Sequence, residues 1–229
     1  MYTIDQTPSA GHCVQIKICG ITIVEDALAC AAMGADALGL VFYPRSPRYV
    51  SLGQAAEICS VLPPSTAKVG VFVNESYEKI LQTASACRLS AVQLHGQESP
   101  ELVEKLAKHD FNIIKCLYLQ GSPSTNDTKN YNNVDSFLVE CSAGKLPGGN
   151  AMTWDWSAAK KISKNHPTVI AGGLSPENVS EAINASYPDA VDVSSGVELF
   201  PGRKDRNMIR EFINAVHMSP IQKTTRRIF

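Results

Sequence analysis

A single-domain α/β fold, a (β/α)8 TIM barrel over residues 14–217, is predicted by three features of the sequence. Eight short apolar runs rich in β-formers recur along it, amphipathic or turn-rich stretches separate them, and no linker divides the chain. The runs are nearly continuous in apolar residues, as strands buried on both faces should be. An open doubly wound sheet would need an edge strand, and none of the eight is polar enough to be one.

The first run, "VQIKICG" (14–20), leads into "EDALACAAMGA", which opens with acids and closes near Gly34. The second, "ALGLVF" (37–42), precedes "SLGQAAEICSVLPP", with Ser51 as N-cap and Pro63 as stop. The third and fourth are "KVGVFV" (68–73) and "AVQLHG" (91–96). "PELVEKLAKH" follows the fourth, with proline in its first turn after Ser99. After the fifth, "NIIKCLYL" (112–119), comes "SPSTNDTKNYNNVD", polar enough to predict only a short or distorted helix. The sixth, "SFLVEC" (136–141), runs into "SAGKLPGGNAMTWDW", where Asp155 is placed to cap the sixth helix. The seventh, "TVIAGG" (168–173), precedes "PENVSEAINA", again with a proline start after Ser175. The eighth, "AVDVSSG" (190–196), is followed by "DRNMIREFINAVH". Residues 1–13 read as an N-terminal extension and 218–229, with the basic "KTTRRIF", as a solvated tail.

Composition narrows the class. Hydrophobic residues make up 44% of 229, enough for a sizeable core, and the net charge of −1 gives no field for nucleic acid or a membrane surface. Seven widely spaced cysteines without a CxxC argue against a disulfide framework and a structural zinc site, so most are expected as core hydrophobes. No segment reads as a signal peptide or membrane span, which points to a cytoplasmic protein. No metal-ligand spacing, Walker motif or dinucleotide motif occurs, so neither metal nor cofactor is expected.

In such a barrel, chemistry collects at the C-terminal strand ends. There the sequence places Cys19, Asn74, His95 and Glu140, Gly172-Gly173 after the seventh strand, and Ser195-Gly196 after the eighth. Glycine-rich seventh and eighth loops together suit a phosphate, though the same glycines also permit tight turns. Arg45 and Arg48 flank two prolines after the second strand, where a held arginine can grip a carboxylate or simply be solvated. His95 fits equally a site residue or a satisfied polar group at the mouth. A phosphate clamp, a carboxylate clamp, a thiol and an opposing carboxylate suit proton transfer on a phosphorylated small molecule.

"KICGIT", "GLVFYPRSPRYV", "VGVFVN", "VQLHG", "GGL-PENV" and "DVSSGVE-FPGRKD" stand in order over roughly residues 14–216. Together they resemble the phosphoribosylanthranilate isomerase family of tryptophan biosynthesis. The resemblance implies an Amadori rearrangement of N-(5-phosphoribosyl)anthranilate to 1-(2-carboxyphenylamino)-1-deoxyribulose 5-phosphate without a cofactor. It implies that Cys19 is the general base and Arg48 the anthranilate carboxylate ligand, with Asp192 on a sugar hydroxyl or in a structural hydrogen bond. His95 joins the substrate-binding set, and ribose 5-phosphate falls to Gly172, Gly173, Ser195 and Gly196. Lys17, two residues before Cys19 and one layer deeper, is expected to be paired with a group the sequence does not reveal.

The chain departs from the family pattern twice. Glu140 stands where the family carries an aspartate as general acid, and "GGNAM" replaces Gly-Gly-Thr-Gly, with Asn150 and Ala151 at the changed positions. A non-catalytic phosphosugar-binding barrel is one alternative. An epimerase or aldolase on another phosphosugar is a second, although Lys17 and Lys115 lie too deep for a Schiff base at a strand end. The expected partner is a small phosphorylated substrate, with no nucleic acid or membrane, in a monomer or homodimer.

Overall fold

The computed structural model describes residues 13–142, 154–220 and 223–229. Most of the N-terminal extension and the substituted loop positions Asn150 and Ala151 lie outside the described residues.

Eight parallel strands close on themselves: β1 Gln15–Cys19, β2 Ala37–Val41, β3 Ala67–Phe72, β4 Ala91–Leu94, β5 Asn112–Gln120, β6 Ser136–Ser142, β7 Thr168–Ala171 and β8 Ala190–Val193. β8 returns to β1 with Gln15 opposite Ala190 and Ile18 opposite Val193. Every residue of β2, β4, β7 and β8 is buried, the pattern that made the runs continuously apolar. Closure leaves the barrel without an edge, so no strand had to be polar.

Register is fixed at the barrel floor by a repeated device. The side chain just before each even strand accepts the first free N–H of the strand before it. Asp36 Oδ2 takes Ile16 N (2.7 Å), Ser90 Oγ takes Lys68 N (2.9 Å), Asp135 Oδ2 takes Ile113 N (2.6 Å) and Asp189 Oδ2 takes Thr168 N (2.9 Å). A slip of one residue would break each bond and turn every inward side chain outward.

The helices are α1 Val24–Ala32, α2 Leu52–Val61, α3 Tyr77–Cys87, α4 Pro100–Leu106, α5 Lys160–Asn165, α6 Val179–Ser186 and α7 Arg206–His217. Ser51 and Gln54 form a capping box on α2, and Ser99 caps α4. Helix α3 was not read from the sequence, although Ser76 caps it and Ile80, Thr83, Ala84 and Cys87 make its buried stripe. Helix α6 starts later than the proline at 176 predicts. Asn178 accepts from Ser175 N (2.8 Å) and donates to Gly173 O (2.8 Å), so this stretch is a turn tied to the preceding loop. The polar stretch after β5 forms only a 3₁₀ turn, Asp127–Asn130. Asp155 caps another such turn, Trp156–Ala159, which opens into α5. A short hairpin, β9 Glu198–Phe200 with β10 Arg203–Lys204, follows β8.

The tail corrects an expectation. Residues 223–229 do not run free in solvent; they close the floor of the barrel. Ala37, Ala91 and Ala190 are too small to fill it, and Ile228, only 3% exposed, packs among them with Val69 and Ile114. Gln15 Oε1 accepts from Ile228 N (2.6 Å), and Asn112 Nδ2 donates to Ile228 O (3.0 Å). Asp189 is fully buried, and its charge is met by Lys223 (2.9 Å) and Arg226 (2.8 Å). The basic residues of the tail thus answer a buried carboxylate, which is why they are not solvated. Cys30, Cys59, Cys87 and Cys116 are buried as expected of core thiols.

Candidate active site

Of the residues named from the sequence as catalytic or substrate-binding, all but Gly196 line one cavity at the C-terminal mouth. Gly196 sits directly behind it. A side chain there would meet Leu174 O at 1.9 Å, so the loops after β7 and β8 touch backbone to backbone and act as one unit.

Cys19 ends β1 on one side of the mouth. It lies over Gly39 of β2, where a Cβ would come within 2.7 Å of Cys19 Sγ and 3.0 Å of Lys17 Nζ. The bare backbone of Gly39 therefore makes the space in which thiol and ammonium converge. Lys17 is fully buried, and its partner is Asp192 Oδ2 at 2.8 Å. Burial opposes its charge, but Asp192 and then Cys19 outweigh it, so the Lys17 pKa is raised. Burial pushes the Asp192 carboxyl up against the pull of Lys17. Asp192 Oδ1 has no hydrogen-bond partner among the described residues, so the carboxylate serves structure with one oxygen and faces the mouth with an open acceptor.

Glu140, near the end of β6, occupies the other side. Its Oε2 lies 3.1 Å from His95 Nε2, and Gln93 Nε2 meets the other ring nitrogen at 2.9 Å. Burial opposes a charged imidazole. The adjacent Cys116 and Glu140 overcome that, and His95 holds its proton well above the ordinary histidine range. Glu140 is longer than the aspartate of the family pattern, and Gly172 makes room for it: a Cβ there would lie 3.0 Å from Glu140 Cγ. Gly172 and Gly173 both take positive φ, 86° and 69°, a succession only glycine adopts without strain.

Arg48 is the residue whose setting differs most from the expectation. Its fork is already engaged: Nε (2.9 Å) and Nη2 (2.7 Å) donate to Glu198. Only Nη1 remains without a partner among the described residues, and Arg48 still lines the cavity. Arg45 is exposed and lies outside that lining. Glu198 also accepts from Lys204 at 2.8 Å. Burial works against its charge, yet Arg48 and Lys204 hold the Glu198 carboxyl below its usual range. Burial lowers the Lys204 pKa, opposed by Glu198 and more weakly by Cys19.

Sequence reasoning missed Gly39, Glu198 and Lys204 as parts of the site, and read Gln93 at the end of the fourth strand without giving it a role. Gly39 carried a signal, since glycine inside a buried strand marks a close approach. Glu198 and Lys204 lay within matched motifs but pointed to no partner until the hairpin folded them onto Arg48.

Over residues 16–215 the chain matches the family model described as N-(5'phosphoribosyl)anthranilate (PRA) isomerase. It is 49% identical over 216 residues to the N-(5'-phosphoribosyl)anthranilate isomerase of Desulfatibacillum aliphaticivorans, covering 94% of this chain and 99% of that one. Its Thermotoga maritima counterpart is 47% identical over 203 residues, covering 87% and 97%. The crystal structure of the Thermotoga maritima enzyme superposes with a TM-score of 0.82 at 45% identity, over 89% of this chain and 98% of that one. A phosphoribosyl anthranilate isomerase solved with reduced 1-(o-carboxyphenylamino)-1-deoxyribulose 5-phosphate gives 0.79 at 44% identity, over 89% and 98%. Matched along nearly its whole length, this eight-stranded barrel belongs to the phosphoribosylanthranilate isomerase family.

Proposed function

We infer that this protein isomerises N-(5'-phosphoribosyl)anthranilate to 1-(o-carboxyphenylamino)-1-deoxyribulose 5-phosphate, a step of tryptophan biosynthesis. The observation that carries the reading is that Cys19 and Glu140 line the same cavity, which the loops after β7 and β8 border. The phosphate rests on Gly172, Gly173 and Ser195, with Gly196 holding the two loops together. Arg48 presents Nη1 to the anthranilate carboxylate while Glu198 fixes its fork. Asp192 Oδ1 takes a sugar hydroxyl.

Glu140 protonates the furanose ring oxygen, and the C1–O bond opens to a Schiff base. The proton that Glu140 passes on is the one His95 holds at Nε2, 3.1 Å from Oε2. Cys19, as thiolate, then removes the C2 proton, and the enolamine relaxes to the ketone. The cations whose charge reaches Cys19 are Lys17 and Lys204. Neither metal nor organic cofactor enters the reaction. The substrate is the partner this reading requires; nucleic acid and membrane are not, and the enzyme works in the cytoplasm as a monomer or homodimer. The small net charge supports this, and no helix among the described residues is long and apolar enough to cross a membrane.

The test is turnover of phosphoribosylanthranilate, followed by loss of its fluorescence. Glu140→Gln should nearly abolish turnover while a product analogue still binds, and Glu140→Asp should retain measurable activity. Normal turnover in Glu140→Gln would remove it as the acid, and no turnover in the unaltered protein would remove the function.

A further inference from the structure

We propose that His95, Cys116 and Glu140 together form a binding site for a thiophilic divalent cation of the Zn2+ class, and that filling it switches the enzyme off. The three residues come from neighbouring positions on the ring, just past β4, on β5 and on β6. This is why no ligand spacing shows in the sequence. The barrel brings together donors that lie 21 residues apart between His95 and Cys116 and farther still to Glu140.

The geometry suits the ion. One donor atom from each residue lies within 4.8 Å of the other two. His95 Nε2 is 3.1 Å from Glu140 Oε2 and 4.0 Å from Cys116 Sγ. Tetrahedral zinc bonds would set these separations at about 3.4 Å for N to O and about 3.6 Å for N to S. The two His95 pairs are thus within about 0.4 Å of those values, and the Cys116–Glu140 pair, inside 4.8 Å, has to close to about 3.6 Å. An imidazole, a thiolate and a carboxylate select zinc-like ions over magnesium or calcium, which prefer oxygen alone. His95 and Glu140 line the cavity, so the fourth position opens to solvent from the mouth, while Cys116 closes the site from beneath.

The far ring nitrogen must be answered as well. Metal on Nε2 requires the proton on Nδ1, and an acceptor facing it. Gln93, only 1% exposed, stands at that nitrogen, and its Oε1 is buried with no hydrogen-bond partner among the described residues. Turning the amide over places Oε1 at Nδ1–H, as a metal on Nε2 or a doubly protonated ring requires. Binding would release two protons, one from the Cys116 thiol and one from the His95–Glu140 pair. The bound cation is then balanced by a thiolate and a carboxylate. Glu140 can no longer donate a proton.

The inhibitory half rests on the isomerase reading above; the binding half does not. The test begins with Co2+ titrated into chelator-stripped protein, read by the near-ultraviolet thiolate-to-cobalt charge-transfer band. The band should form in the unaltered protein and in Cys19→Ser, and be absent in Cys116→Ala and in Cys116→Val, which fills the space of the thiol. Zn2+ should inhibit turnover reversibly, and both Cys116 variants, each compared with its own zinc-free rate, should need at least tenfold more Zn2+ for half-inhibition. No band, or a band lost in Cys19→Ser and kept in Cys116→Val, would overturn the site. A Cys116-dependent band with turnover unaffected by Zn2+ would overturn the switch. A protein that forms the band but never turns over phosphoribosylanthranilate would refute the isomerase reading and leave the metal site standing.

Discussion

Replacing Gly39 by alanine adds one methyl group at the point where Cys19 and Lys17 meet. The new carbon would stand 2.7 Å from the sulfur and 3.0 Å from the ammonium nitrogen. Ordinary contacts need about 3.5–4.0 Å, so the thiol must retreat by about 1 Å. A misplacement of that size at a reacting group costs about 10²-fold in rate. Gly39→Ala should therefore lower kcat on phosphoribosylanthranilate by about two orders of magnitude. A product analogue should bind with little change, because Arg48 and the glycine loops stay where they are. Gly53→Ala is the control: it lies on the exposed face of helix α2, and a Cβ there meets nothing within 4 Å. It should leave kcat alone and stabilise the fold by up to about 1 kcal/mol. A Gly39→Ala enzyme with kcat within about threefold of normal would refute the claim that the thiol acts from this position.

Cys19→Ser should cut kcat by roughly 10²-fold or more with affinity nearly unchanged, measured by the same fluorescence assay. Ile228→Ala removes the plug of the barrel floor and should cost about 2–5 kcal/mol in urea unfolding, with turnover spared in the absence of denaturant because the mouth lies at the opposite end. Glu198 should leave a signature in acid. Its carboxyl is held below the usual 4.5, so its pairing with Arg48 and Lys204 stabilises the fold fully above that pH and is lost as pH falls through the lower folded value. Melting temperature followed below about pH 5 should fall less steeply in Glu198→Gln than in the unaltered chain.

The eight strands were legible because burial on both faces forces continuous apolar runs, and their number and spacing left one closed arrangement. Caps at Ser51 and Ser99 were legible because they are local chemistry. Helix α3 was overlooked beside strands that read more clearly. The site was legible where a residue stands at a strand end, as with Cys19, His95 and Glu140. Partnerships were not. Nothing local announces that Lys17 pairs with Asp192, 175 residues away, or that Glu198 holds Arg48, 150 residues back. The tail was misread for the same reason. Its basic residues looked solvated because the buried acid they neutralise, Asp189, sits on another segment.

The four clamps at the floor also bear on how the chain finds its fold. Each ties residues only 20 to 22 positions apart. Loops of that order close in well under a millisecond, so β1–β2, β3–β4, β5–β6 and β7–β8 can each set their alignment as independent quarters. The bond from Ile228 to Gln15 spans 213 positions, and β8 must find β1 across nearly as much chain. That seam is the costliest single closure, about 2 kcal/mol above any one quarter, and it is sealed after the quarters exist. The slow step of folding thus belongs to the join between the two ends of the barrel, and the quarters set the order in which everything before it assembles.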